Sequence, residues 1–254
     1  MGPFGLSSIL LDTGRGLALF DGDLPESAPV IEANIRALGF RVRDIQWILN
    51  SHAHADHAGG IAALQRDSGA QALASAAGAR EMALGGADRE DPQYGDTPGY
   101  PPVRHARVVR DGEIVRLGGV AITAHYTPGH TPGSTSWTWA SCAGARCLRM
   151  VYADSLAPIS APGFRFSDDP RRVAAFRRAI ATVASLPCDI LLTPHPDASG
   201  FWQKVARRTS ASDAAPLIDT GACRAYAGAA TKKLDARLAQ EQAEQAAQRA
   251  GSKP

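Results

Sequence analysis

The chain is expected to fold as an α/β protein, a single domain in which helices cover the outer faces of two packed sheets. Three observations predict this. Short apolar runs alternate with amphipathic helical stretches, so strand, loop, helix and strand follow one another in a steady rhythm. The rhythm recurs in both halves of the chain, and no linker-like stretch separates them. The 254 residues are 44% hydrophobic and 20% charged, which is ordinary globular composition with length enough for a substantial core.

Taken in order, Phe4 to Leu11 and Gly16 to Phe20 read as two strands joined by the turn Asp12-Thr13-Gly14-Arg15-Gly16. Ser27 to Leu38 has Ile31, Ile35 and Leu38 on one helical face, and Gly39 stops it. Val42 to Leu49 reads as a buried strand ending at Asn50. A helix starts at Ile61, and Ala70 to Ala74 is the next strand. Gly85 to Val103 is a long loop rich in Gly, Pro, Asp and Tyr, a length that favours a functional segment. Five strands follow: Ala106 to Val109, Glu113 to Leu117, Val120 to Tyr126, Ser134 to Trp139 and Cys147 to Tyr152. Pro170 to Leu186 carries Val173, Phe176, Ile180 and Val183 at helical spacing. Asp189 to Leu192 is a last strand, and a helix runs from about Ala222 to about residue 250 with a polar, fraying tip.

The net charge of +2, with no Lys/Arg-rich run, argues against a nucleic-acid surface. No apolar stretch is long enough to span a bilayer, and no sequence feature calls for an obligate protein partner. Met1 to Phe4 leads straight into a strand without the pattern of a signal peptide. None of the four cysteines has C-x-x-C spacing. Cys142 and Cys147 bracket a hairpin tip where a bridge fits, and a Cys188–Cys223 bridge would pin the last helix. Four buried thiols are the alternative.

The densest chemistry lies in Asn50-Ser51-His52-Ala53-His54-Ala55-Asp56-His57-Ala58-Gly59-Gly60. Imidazole nitrogen and carboxylate oxygen are ligands for divalent metals, and the small residues between them let the backbone close on an ion. In an extended segment alternate residues face the same way, so His52 and His54 suit one ion. Asp56 and His57, past the turn, suit a second. Each pair needs a further ligand to make a catalytic site with an open position. His130, in Gly129-His130-Thr131-Pro132-Gly133-Ser134, and His195, in Thr193-Pro194-His195-Pro196, each sit in a sharp turn after a strand. That is where α/β sites are built. His125 lies within a strand and reads as structural, and His105 among arginines reads as a surface residue.

His-x-His-x-Asp-His, followed by Gly-His-Thr-Pro-Gly-Ser and Thr-Pro-His-Pro, resembles the metallo-β-lactamase superfamily. Ser51 to Gly60, Thr131 to Trp139, Tyr152 to Leu156 and Leu186 to Pro196 resemble its third subclass of class B β-lactamases, and the likeness covers nearly the whole chain. It implies an αββα sandwich of two packed mixed sheets with a dizinc site between them. His52, His54 and His130 would bind the first Zn2+, and Asp56, His57 and His195 the second. It implies hydrolysis of the β-lactam amide of penicillins, cephalosporins and carbapenems, and hence antibiotic resistance. The expected attack is by a zinc-bound hydroxide without a covalent intermediate, so Ser134, Ser136 and Ser155 are not nucleophiles. Asp56 would orient the attack and relay a proton. The resemblance further implies both disulfides, Cys142–Cys147 and Cys188–Cys223, and a periplasmic or secreted protein that begins late by comparison.

Ser155 resembles the serine that binds the substrate carboxylate. Several relatives carry a second hydroxyl two residues on, and this chain has Ala157 there, with Ser160 as a possible substitute. Tyr94 is placed to wall in bulky substrate groups. The same histidine signature occurs in glyoxalase II-like thioesterases and lactonases, some with a bridging aspartate where this chain has Asp154. The Tyr-Ala-Asp-Ser-Leu phrase favours the lactamase, with the serine rather than the aspartate facing the site.

Overall fold

Period-two alternation sorts strand side chains onto two faces. The computed structural model, which describes residues 5–251, stacks two five-stranded sheets on that pattern. The first holds β1 (Ile9–Asp12), β2 (Leu17–Phe20), β3 (Ile45–Leu49), β4 (Gln71–Ala74) and β5 (Ala106–Val108), in that spatial order. β1 and β2 are an antiparallel hairpin, and β2 to β5 run parallel. The second holds β6 (Ile114–Leu117), β7 (Val120–Tyr126), β8 (Thr135–Ala143) and β9 (Arg146–Tyr152) as an antiparallel meander, with β10 (Ile190–Leu192) parallel to β9.

The alternation builds three apolar layers. Ala18, Phe20, Leu49, Leu73, Trp137, Tyr152 and Leu192 point inward and fill the space between the sheets. Leu17, Leu19, Ile48, Ala72 and Ala74 point outward, against α1 (Ala28–Ala37), α3 (Ile61–Ser68) and α4 (Ala76–Ala83). Val151 and Leu191 point out on the other side, against α5 (Pro170–Ser185) and α7 (Ala222–Gly251). This is the αββα sandwich that the resemblance implies.

Most predicted elements are present, and the differences have local causes. The first predicted strand begins at Ile9, and Phe4 lies outside the described residues. Val42–Asp44 is a 3₁₀ turn held by Arg41 and Asp44, whose side chains bond each other and close the turn, so β3 starts only at Ile45. β8 and β9 run on past Trp139 to a two-residue tip, bridged by Cys142–Cys147. Three helices were not foreseen: the single turn α2 (Ala55–Ala58), α4, and the short α6 (Phe201–Val205). A Ser75 cap accepting from Gly78 N at 3.1 Å, before an alanine-rich run, is the sequence signal for α4. The Cys188–Cys223 disulfide ties the approach to β10 to the start of α7.

Register then gathers the functional loops on one edge. Phe20 lies beside Leu49 and Leu49 beside Leu73, while Leu192 lies beside Tyr152. The segments leaving β2, β3, β4, β9 and β10 therefore emerge together, and β7, parallel to β9, delivers its turn to the same edge.

Candidate metal centre

The stretch after β3 is held by a buried hub. Asp21, at φ +60° just after β2, accepts hydrogen bonds from Ser51 N (2.7 Å), Ser51 Oγ (2.6 Å), Asn50 Nδ2 (3.2 Å) and, from the opposite sheet, Tyr152 Oη (2.7 Å). Burial pushes its carboxyl up to about 6, against the pull of His57 and these donors. Thr135 N donates to Ser51 O, and Trp137 Nε1 to Asn50 O, so both sheets grip the loop. Gly60 closes it. A Cβ there would sit 2.2 Å from Gly22 O, so only glycine lets the turn approach β2's exit this closely.

Three histidine rings then converge. His52, His54 and His130 are at most 5% exposed, with centroids 4.7 to 5.0 Å apart. Each has one ring nitrogen engaged from behind. His52 Nδ1 meets Asp154 Oδ1 at 2.7 Å, His54 Nε2 meets Asp91 Oδ2 at 3.1 Å, and His130 Nδ1 donates to Ala157 O at 2.9 Å. That pattern fixes tautomers and leaves His52 Nε2, His54 Nδ1 and His130 Nε2 with lone pairs for a shared point. Burial holds His52 well below the usual imidazole range, and brings His130 down to about 4, with neighbouring histidines adding to both shifts. These two rings are neutral at pH 7, as ligands must be.

A second group lies beside it. His57 Nε2, His195 Nε2 and Asp56 Oδ2 are mutually 3.1 to 3.4 Å apart. Asp56 and His57 are adjacent in sequence, but the turn of α2 brings both to one point. Burial opposes charge on both, yet their mutual hydrogen bond and attraction win. His57 is held up at about 9, helped by Asp21 and Asp154, and Asp56 is held below the usual carboxylate range. His195 is half exposed and forms the rim.

The donors fit a divalent metal. His52 Nε2 is buried and unpartnered among the described residues, and two imidazole nitrogens 3.1 Å apart, both edge-on to one point, are what a shared cation reconciles. The structure thus brings together all six residues the sequence singled out. Ser155 lines an adjacent cavity with His130 and His195. Asp154 is fully buried and meets His52 from behind, so of the Asp-Ser pair it is the serine that lines the cavity. Tyr94 is 41% exposed, with the Arg89 guanidinium 5.7 Å from its ring centroid, and is not among the residues lining that cavity. Ser160 bonds Arg237 instead of facing it. His125 bonds Thr138 and His105 is exposed, as expected.

Two acids that sequence reasoning missed support His54. Asp91 comes from the long loop, and Glu81 from α4. Burial first, then Asp91, pushes Glu81 up to about 9, so it is protonated and donates to Asp91. An isolated aspartate in a polar loop carries no sequence signal for this. Its position behind a histidine exists only in three dimensions.

Comparison with known proteins agrees with this geometry. The metallo-β-lactamase superfamily model matches residues 1–143. The solved structure of Rm3 metallo-β-lactamase is 51% identical over 94% of this chain and 89% of its own, with a TM-score of 0.90. MEM-A1, a subclass B3 metallo-β-lactamase from a soil metagenome library, is 48% identical over 96% of this chain and 93% of its own, with a TM-score of 0.92. Among curated sequences, a hydroxyacylglutathione hydrolase of Anaeromyxobacter dehalogenans is 33% identical over 65% of this chain and 51% of its own length. The chain spans about half the length of the first curated relatives it matches. On fold, donor set and full-length similarity, the chain belongs to the metallo-β-lactamase superfamily, and within it groups with the subclass B3 enzymes.

Proposed function

We propose that this protein is a zinc-dependent β-lactamase that opens the amide of penicillins, cephalosporins and carbapenems. One Zn2+ would be held by His52, His54 and His130, and a second by Asp56, His57 and His195. The observation that carries the reading is the pair of three-donor groups beside a cavity, in a chain about half identical along its length to β-lactamases. Metal bound there supplies Lewis acidity and lowers the pKa of water to about 7.

The chain's own groups do the rest. Asp56, kept ionised, accepts a hydrogen bond that orients the attacking water and can hand its proton to the departing nitrogen. Asp154, Asp91 and the Ala157 carbonyl hold the rings in their working tautomers. Neither of the first two serines after His130 is placed as a nucleophile. Ser134 and Ser136 are buried, and their oxygens are occupied by Thr131, and by Thr127 and Asp154 N. The Ser155 hydroxyl accepts weakly from Ala157 N and keeps its own proton free for an anionic substrate group. Two disulfides support export to an oxidising compartment such as the periplasm.

The curated relatives named hydroxyacylglutathione hydrolase favour a second reading, thioester hydrolysis. Turnover of a chromogenic cephalosporin, with and without a chelator, separates the two. Rapid turnover abolished by chelation and restored by Zn2+ is expected. A zinc-loaded protein that cleaves a hydroxyacyl-glutathione thioester but no β-lactam overturns the reading.

A further inference from the structure

A cavity of about 190 Å³ opens beside the metal centre, smaller than the roughly 300 Å³ and upward of whole-ligand pockets, so it suits one end of a substrate. His130 and His195 form its metal-side wall. One stripe of α7, Tyr226, Ala229, Ala230 and Lys233, forms the opposite side at i, i+3, i+4 and i+7 spacing. The helix is fixed there. Tyr226 Oη donates to Asp154 O at 3.0 Å and accepts from Leu156 N at 3.2 Å, and Cys223 is bonded to Cys188. The two alanines keep the space between the helix and Ser155 open.

The polar groups on this wall can be counted off. Tyr226 has used its donor and an acceptor, and Thr193 Oγ1 is committed to His195 O and Ser199 Oγ. The Ser155 proton and the Lys233 ammonium remain. Lys233 is exposed and has no hydrogen bond or ion pair among the described residues, unlike Lys204, which meets Asp219 at 3.5 Å. Among the described residues, no Asp or Glu lines the cavity. An anion is therefore the only charge this wall welcomes.

We propose that Lys233, with the Ser155 hydroxyl, forms the subsite that selects substrates bearing a carboxylate, in place of a second hydroxyl at Ala157. The inference rests on the β-lactamase reading for its substrate, since penicillins, cephalosporins and carbapenems all carry a carboxylate next to the ring nitrogen. It makes Lys233 a specificity-determining residue: attraction from a mobile point charge acts mainly on binding and is screened by salt.

The test compares wild type with Lys233→Ala and Lys233→Arg. With a chromogenic cephalosporin, Lys233→Ala should raise KM by about five- to tenfold, with kcat changing far less, and should flatten the rise of KM with ionic strength. Lys233→Arg should restore most of the loss. A KM within about twofold of wild type in Lys233→Ala overturns the proposal. A binding arm needs no turnover. N-(3-mercaptopropanoyl)proline and its methyl ester are titrated into the cobalt-loaded protein and followed by absorbance. Wild type should prefer the acid, and Lys233→Ala should bind acid and ester about equally. An unchanged preference in Lys233→Ala, or none in wild type, also overturns the proposal. If the preference depends on Lys233 but no β-lactam is cleaved, the anion subsite stands and the substrate reading falls.

Discussion

His57 and His130 are chemically the same side chain, held in opposite states by what surrounds them. Burial, with other histidines adding to it, presses His130 down to about 4 against the pull of the Ala157 carbonyl and Asp154; His57 is just as buried, but Asp56, Asp21 and Asp154 outweigh that and hold it up at about 9. Metal must displace a proton from His57 but not from His130. Lowering the pH below 9 favours the proton, so zinc affinity at the Asp56/His57/His195 group should fall by on the order of tenfold per pH unit. His52 and His130, both held below the usual imidazole range, have no such proton to lose, so the step that uses them should change less. Two-step zinc titrations of the metal-free protein at pH 6, 7 and 8 would show it. Parallel weakening of both steps would contradict the assignment.

Among elements, α7 does the most unexpected work. Its Cys223, Ala227, Ala230 and Leu234 pack on the second sheet's outer layer, and its Tyr226 and Lys233 reach the cavity. The Cys188–Cys223 bridge closes a loop of 35 residues, a length for which chain entropy gives about 3–4 kcal/mol. Replacing both cysteines by serine should lower unfolding stability by about 2–4 kcal/mol, measured by chemical denaturation. Because the bridge anchors the helix start, KM should rise as well. Unchanged stability would mean that packing alone docks the helix.

Across the whole molecule, the metal centre is also a cross-link. Its donors come from the exits of β3, β7 and β10, so an ion there ties the two sheets together across their shared edge. A ligand that binds only the folded state stabilises it, by about 4 kcal/mol at a thousandfold excess over Kd. Chelation should therefore lower the melting temperature by several degrees, and stoichiometric zinc should restore it. An unchanged melting curve would show that the Asp21 hub and the inter-sheet core hold the edge without metal.

The sequence by itself determined the layers and singled out the six residues that the structure brings together. Alternation in Leu17 to Phe20 and the Ile31/Ile35 face are local patterns, and local patterns survive folding because burial depends on them. The donors were legible because four lie in one short run and two follow strands in Pro/Gly turns. Only the tertiary structure decided what stands behind and beside them. Glu81 and Asp91 lie 27 and 37 residues from His54, Asp21 lies 30 from Ser51, and Lys233 lies 38 beyond His195, whose cavity it shares. None carries a local motif, because a hydrogen bond behind an imidazole, or a charge across a cavity, needs only proximity, and proximity is set by the packing of the two sheets.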